Sequence, residues 1–154
     1  MQVEVVCRGL EETQKFAYQV ASLLRPGSVL ALSGEMGSGK TTFVKFLVEA
    51  MGGSIDEVTS PTFVFEQIYQ AQYPQPMPIY HFDFYRLHDI AEAYALGIEE
   101  KIPAFDAITI VEWADLFPEV FKEFYLSLEC RYVDEHSRGY ILKEVDPYSS
   151  KIED

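Results

Sequence analysis

Apolar and polar residues along this chain alternate between the spacing of strands and the spacing of helices. Ser28–Ser33 is a short apolar run without polar alternation, which is typical of a strand buried on both faces of a parallel sheet. Across Glu11–Leu24, apolar residues recur at intervals of three and four and predict an amphipathic helix. The sequence Arg25-Pro26-Gly27 ends that helix.

The remaining segments continue this alternation. The pattern predicts further strands at Val3–Val6, Thr62–Tyr69, Ile79–Tyr85 and Ala107–Val111, helices at Lys40–Met51 and Ile90–Leu96, and a hairpin formed by Phe124–Tyr132 and Tyr140–Val145 around Asp134–Gly139. Strands that alternate with helices favour a three-layer α/β domain with a mainly parallel sheet and a C-terminal antiparallel hairpin. We expect one domain over residues 1–147 and a flexible polar tail at 148–154.

A glycine-rich turn follows the Ser28–Ser33 strand. Gly34-Glu35-Met36-Gly37-Ser38-Gly39-Lys40-Thr41 matches the phosphate-binding pattern G-x-x-x-x-G-K-[ST] in full. Glycines let the backbone curl so that its N–H groups approach an anion, and the following helix N-terminus favours phosphate. In such a loop, Lys40 reaches the β and γ phosphates and the Thr41 hydroxyl is a Mg²⁺ ligand. The fold expected is therefore a P-loop NTPase-like domain with a nucleotide site.

The negative net charge of the chain means that any anionic ligand needs a local site of positive charge. The 154 residues carry 12 Lys and Arg against 25 Asp and Glu, a formal net charge of −13, so the surface as a whole repels nucleic acid. No apolar run approaches the roughly 20 residues that span a bilayer, and the N-terminus lacks the features of a secretory signal. Cys7 and Cys130 are far apart and indicate neither a disulfide framework nor a zinc site. These features favour a cytoplasmic protein without a membrane anchor.

Two carboxylates stand at the ends of predicted strands. Asp83 follows Ile79–Phe82, and Glu112 follows the apolar run Ala107–Val111. Ligands of open α/β sheets lie beyond the carboxyl ends of the strands, so either acid could face the phosphates. One could bind Mg²⁺ while the other orients the attacking water. Asp83 could instead pair with Arg86.

The histidines do not indicate a hydrolytic triad. His81 and His88 have no serine or cysteine partner in a pattern typical of nucleophilic catalysis. We interpret both as structural or surface residues.

Several short blocks resemble one family. Besides the phosphate loop, these are Val58-Thr59-Ser60-Pro61-Thr62-Phe63, Tyr80-His81-Phe82-Asp83-Phe84-Tyr85-Arg86-Leu87, Leu96-Gly97-Ile98-Glu99-Glu100 and Val111-Glu112-Trp113. In this order they resemble the TsaE family, the small bacterial ATPases required for tRNA threonylcarbamoyladenosine biosynthesis. The resemblance implies an ATPase that acts with the TsaB and TsaD proteins and contacts tRNA only indirectly, through that complex.

The resemblance also implies roles for single residues. Thr41 and Glu112 correspond to the magnesium ligands, and Lys40, Asp83 and Glu112 to the catalytic set. The segment Ser60-Pro61-Thr62 resembles a switch-like loop near the γ-phosphate. The residues that correspond to nucleotide contacts are Thr13, Gly37, Ser38, Gly39, Lys40, Thr41, Thr42, Thr62, Trp113 and Arg138.

Two other functions remain open at this point. A small-molecule kinase would carry the same loop, but it also needs an acceptor pocket and usually a basic lid, and Arg86 is the only arginine between Thr41 and Glu112. A nucleotide-dependent scaffold would use ATP to tighten partner assembly without needing hydrolysis.

Overall fold

Seven strands form one sheet in the computed structural model, which describes residues 1–54, 56, 58 and 65–148. The strands are β1 (Gln2–Arg8), β2 (Val29–Ser33), β3 (Glu66–Ala71), β4 (Met77–Asp83), β5 (Ile108–Glu112), β6 (Tyr125–Tyr132) and β7 (Ser137–Val145). The α-helices are α1 (Leu10–Ala21), α2 (Lys40–Ala50) and α3 (Ile90–Ala95), and short 3₁₀ turns lie at Ile98–Glu100, Ala114–Leu116 and Pro118–Val120.

The sheet is mixed. Its order is β1-β7-β6-β2-β5-β4-β3. The three central pairings, β6 with β2, β2 with β5 and β5 with β4, are parallel. The outer pairings, β1 with β7, β7 with β6 and β4 with β3, are antiparallel. The prediction of a mainly parallel sheet holds only for the centre, since three of the six pairings are antiparallel. The connections from β3 to β4 and from β6 to β7 are short, and a short connection permits only antiparallel pairing. The C-terminal hairpin is confirmed.

Strand β2 lies at the centre of two hydrophobic clusters. Its Leu30 and Leu32 pack on one face with Phe16 of α1 and Phe43 of α2. The alternate residues of β2, Val29 and Ala31, contribute to the cluster on the opposite face. That cluster also contains Ala93 of α3, Phe82, Phe84 and residues of the 3₁₀ turns. Both faces of β2 are thus buried, as its unbroken apolar run predicts.

Some boundaries differ from the prediction. Helix α1 ends at Ala21 rather than Leu24, and the next residues continue as turns in which the Arg25 guanidinium donates hydrogen bonds to the carbonyls of Ser22 and Leu24. Strand β5 includes Glu112, so this acid is the last residue of a strand and not the first residue after it. Residues 62–64 of the predicted strand Thr62–Tyr69 and residues 149–154 of the predicted tail lie outside the described residues. In the part of the chain that is described, no helix is both long and apolar enough to cross a membrane.

Candidate functional site

The glycine-rich loop connects the carboxyl end of β2 to the first residue of α2. Gly37 and Gly39 have positive φ angles of 82° and 94°, and Gly39 is the N-terminal cap of α2 in the left-handed conformation. Gly34 has a φ of 138°, and a Cβ added to it would lie only 2.2 Å from the carbonyl oxygen of Cys130 in β6. The loop therefore needs glycine at Gly34 for two reasons, backbone conformation and close approach to the neighbouring strand.

Lys40 turns back into this loop. Its side chain is only 6% exposed. The ammonium donates hydrogen bonds to the carbonyl oxygens of Gly34 at 2.5 Å and Glu35 at 2.9 Å, and to the hydroxyl of Ser38 at 3.3 Å. Burial lowers the pKa of Lys40 below its ordinary value, while nearby Glu112 and other acids oppose that shift. The arrangement holds one positive charge inside the curl of the backbone.

Thr41 and Glu112 meet at the start of α2. The hydroxyl of Thr41 donates to Glu112 Oε1 at 3.3 Å, and Glu112 is 2% exposed. Hydroxyl and carboxylate oxygens are the hard ligands that Mg²⁺ accepts, so this pair fits the metal. Among the described residues, no group of three or more His, Cys, Asp or Glu side chains is arranged to hold a metal ion. A pair of protein oxygens agrees with the usual Mg²⁺ site, in which phosphates and waters complete the coordination.

Asp83 is the neighbour of Glu112 in the sheet. The two Cα atoms are register partners in the parallel pairing of β4 and β5, and Asp83 is 4% exposed. Its Oδ1 accepts a hydrogen bond from the backbone N–H of Tyr85 at 2.7 Å. The structure therefore places both sequence-predicted acids at the carboxyl edge of adjacent strands, as the general rule for open α/β sheets requires.

A cleft of about 660 Å³ opens over the loop and the start of α2. The residues that line it are Met36, Gly37, Gly39, Lys40, Thr41, Thr42, Tyr85, Arg86, Trp113 and Arg138. Lys40 thus shares one cleft with six other residues that were predicted to contact nucleotide: Gly37, Gly39, Thr41, Thr42, Trp113 and Arg138. The two guanidinium groups and Lys40 provide local positive charge on a chain whose net charge is −13.

A second cavity, of about 280 Å³, adjoins the cleft through Gly39, Thr42 and Arg138. Thr13 lines this cavity from α1, and its hydroxyl donates to the carbonyl oxygen of Gly9 at 3.3 Å. The Arg138 guanidinium lies over the Tyr132 ring at 4.8 Å, and its buried Nε has no hydrogen-bond partner among the described residues. Thr13 and Arg138, two of the residues predicted to contact nucleotide, thus line one cavity beside the loop.

Ser38, Asp83 and Glu112 are not among the residues that line the cleft. Ser38 is completely buried beneath the loop, where its hydroxyl accepts from Lys40. Thr62 and the switch-like segment Ser60-Pro61-Thr62 lie outside the described residues.

His81 is the site residue whose role the sequence interpretation missed. Its Nε2 lies 2.6 Å from Glu112 Oε2, and both side chains are buried. The signal was the alternation of His81 and Asp83 with Phe82 and Phe84, which places the two polar residues on one face of β4. The partner strand could not be identified from that alternation alone.

Comparison with known proteins agrees with the sequence resemblance. Residues 7–140 match the family model described as "Threonylcarbamoyl adenosine biosynthesis protein TsaE". A tRNA threonylcarbamoyladenosine biosynthesis protein TsaE from Bacillus subtilis is 37% identical over 118 residues, which cover 77% of this chain and 70% of that protein. The protein of the same name from Rickettsia bellii is 30% identical over 135 residues, 88% of this chain and 90% of its own length.

A solved structure shares the fold. The crystal structure of Bacillus subtilis YdiB superposes with a TM-score of 0.73 at 27% sequence identity, and the match covers 99% of this chain and 90% of that one. The family model spans the loop, both strand-end acids and most of the C-terminal hairpin. This chain belongs to the TsaE family of tRNA threonylcarbamoyladenosine biosynthesis proteins.

Proposed function

We propose that this protein is a Mg²⁺-dependent ATPase of P-loop type that serves tRNA threonylcarbamoyladenosine biosynthesis in the cytoplasm. One observation carries the proposal: the G-x-x-x-x-G-K-T loop curls around the Lys40 ammonium between a central strand and a helix N-terminus, and Thr41 contacts Glu112 beside it. Free N–H groups at a helix N-terminus and a buried ammonium together favour a polyphosphate.

Lys40 has the position needed to offset phosphate charge. It is the first residue of α2, and its ammonium already lies among carbonyl and hydroxyl oxygens inside the loop. A bound triphosphate would exchange these neutral acceptors for anionic ones, which form stronger hydrogen bonds with an ammonium. Lys40 thus stabilises the negative charge that grows on the γ-phosphate and its leaving oxygen during transfer.

Thr41 and Glu112 would hold the magnesium ion. When bound, the ion neutralises charge on the phosphate oxygens. Asp83, beside Glu112 in the sheet, and Glu112 itself are the acids available to orient the attacking water. Both are almost fully buried, and an oriented carboxylate in such a position acts in a poorly hydrated environment.

The nucleoside part of ATP is assigned to the smaller cavity. That cavity shares Gly39, Thr42 and Arg138 with the cleft, so a ligand that begins at the loop can continue past α2 toward Thr13. The Nε–H of Arg138, which has no partner among the described residues, could donate a hydrogen bond to an oxygen of the nucleotide. Trp113, above Lys40, closes the phosphate end of the cleft.

Partners complete the proposed activity. TsaB and TsaD are the proteins with which we propose that this chain hydrolyses ATP, and tRNA is contacted through that complex because the chain is strongly acidic. We expect slow turnover by the isolated protein and faster turnover when the partners are added.

The test is ATP binding and turnover by the purified protein, alone and with TsaB, TsaD and tRNA. Lys40→Ala should reduce turnover by about 100-fold or more, because one preorganised positive charge is lost. Lys45→Ala, one turn farther along α2, is the matched control and should leave turnover unchanged.

The product identifies the reaction class. With γ-labelled ATP, label released as inorganic phosphate supports the ATPase. Label transferred to a small metabolite would instead establish a kinase. Binding without turnover in the complete mixture, together with an Asp83→Asn variant that still supports tRNA modification in cells, would establish a scaffold. No ATP binding by the unchanged protein would overturn the proposal.

A further inference from the structure

The two carboxylate oxygens of Glu112 contact two different side chains. Oε1 accepts from the Thr41 hydroxyl at 3.3 Å, and Oε2 accepts from His81 Nε2 at 2.6 Å. An ionised carboxylate only accepts hydrogen bonds, so we assign the donor in this contact to His81 Nε2. The bond is short, as expected for a charged acceptor, and it directs Oε1 rather than Oε2 toward the start of α2.

His81 is itself held at its other nitrogen. The Tyr69 hydroxyl donates a hydrogen bond to the side-chain oxygen of Gln67 at 2.5 Å, and its oxygen lies within hydrogen-bond distance of His81 Nδ1, at 2.9 Å. The three side chains project from the same face of adjacent strands, since Gln67 is the register partner of His81 and Tyr69 lies two residues farther along β3. With hydrogen bonds at both nitrogens, the imidazole ring cannot rotate without breaking at least one of them.

The chain of contacts is buried from Tyr69 to Glu112. The exposed fractions are 3% for Tyr69, 0% for His81 and 2% for Glu112. Buried polar side chains of this kind are costly unless they are paired, so packing alone would favour apolar residues at these positions. The contacts extend from the edge strand β3 through β4 and β5 to α2, and they end at the Thr41–Glu112 pair to which the proposed function assigns magnesium.

We propose that His81, held by Tyr69, is a positioning residue that orients the Glu112 carboxylate so that Oε1 is presented with Thr41 as a ligand for the divalent cation. The proposal rests on the proposed function. It adds His81, a residue to which that function assigns no role. Side chains that hydrogen-bond to metal ligands generally set the orientation of those ligands, and their loss costs about 10–100-fold in metal affinity. His81 touches neither ATP nor metal in this role.

The experiment measures how much Mg²⁺ strengthens ATP binding. Trp113, the only tryptophan of the chain, provides the fluorescence signal at the cleft. ATP is titrated into each variant in excess EDTA and again in excess Mg²⁺. In EDTA, binding depends on the loop and Lys40, so His81→Leu should change ATP affinity by no more than about twofold. In Mg²⁺, the same variant should bind about tenfold more weakly than the unchanged protein.

Three further variants separate positioning from packing. His81→Gln keeps an N–H donor three bonds beyond Cβ and should restore most of the Mg²⁺ effect, although the ring is lost. Tyr69→Phe keeps the aromatic ring and removes only the hydroxyl, so it should lose part of the Mg²⁺ effect. His88→Leu replaces an exposed histidine and should behave as the unchanged protein. Thermal unfolding of every variant is measured in parallel, and if His81→Leu does not fold, His81→Gln and Tyr69→Phe decide the question.

Each outcome has one meaning. A normal Mg²⁺ effect in folded His81→Leu, or in Tyr69→Phe when His81→Leu is unfolded, would overturn the positioning role. Equal weakening in EDTA and in Mg²⁺ would also overturn it, because the change would then disturb the loop in general. Failure of the unchanged protein to bind ATP would overturn the proposed function instead.

Discussion

The ammonium of Lys40 lies 4.2 Å from the centroid of the Trp113 ring. The contact joins the first residue of α2 to the residue that follows β5, across the open side of the phosphate loop. Trp113 has a φ of 58°, the only positive φ among non-glycine residues in the described part of the chain, and Tyr85 packs against its ring at a centroid distance of 4.9 Å. The left-handed backbone at Trp113 directs the indole to the cleft, and packing against Tyr85 helps to maintain that conformation.

Trp113 fluorescence should therefore report on Lys40. Removing the ammonium from the ring face with Lys40→Ala is expected to change the emission of the protein without nucleotide, because a nearby charge shifts the indole excited state. ATP should change the emission of the unchanged protein and have no effect on Lys40→Ala. Emission spectra with and without ATP check both expectations, and Lys45→Ala, with identical spectra to the unchanged protein, is the control.

Gly34→Ala should be strongly destabilising. The new Cβ would lie 2.2 Å from the Cys130 carbonyl oxygen, at a residue whose φ is already 138°. We expect a loss of at least about 3 kcal/mol in the free energy of unfolding, measured by urea denaturation.

Gly27→Ala is the matched control for this change. Gly27 has a φ of 94°, but a Cβ there meets no atom within 4 Å, so the cost should be only the conformational one of about 1 kcal/mol. Equal losses for the two variants would mean that close packing against β6 does not determine the requirement at Gly34.

Phe43→Ala should remove a large part of the stability. Phe43 is fully buried and packs against Phe16 and Tyr140, with ring centroids 5.8 Å and 5.2 Å away. Truncation should lower the free energy of unfolding by about 3–5 kcal/mol. Phe105, which is 89% exposed, offers the same chemical change at the surface. Phe105→Ala should stay within about 0.5 kcal/mol of the unchanged protein in the same urea titration.

The two cysteines should be unreactive in the folded protein. Both are buried thiols, and burial raises the pKa of Cys130 to about 12 and that of Cys7 above its ordinary value. A raised pKa keeps the sulfur protonated to higher pH, so at pH 8 the thiolate that attacks a disulfide reagent is nearly absent. A thiol-specific disulfide reagent should label neither cysteine at pH 8 and both after denaturation. An exposed thiol made by Ser22→Cys should react at once, and rapid labelling of Cys130 without denaturation would contradict its burial.

Local sequence determined the parts of the site that are continuous in the chain. The loop Gly34–Thr41 contains its own turn, its ammonium and the start of its helix, so the residue types alone predict a phosphate-binding loop. The apolar run before Glu112 likewise indicated a buried strand that ends in an acid. These features depend on contacts between residues close in sequence, and the spacing of residue types predicts such contacts directly.

Tertiary structure decided the features that depend on which strands pair. His81 and Glu112 are 31 positions apart and meet only because β4 lies beside β5 in one particular register. Arg138 reaches Gly39, and Thr13 the adjoining cavity, through packing of β7 and α1 beside the loop. The antiparallel pairing of β1 with β7 has the same origin, because these two strands are far apart in the chain. Hydrophobic alternation predicts which face of a strand is buried. Which strand pairs with it, and in which register, follows from the packing of the whole sheet.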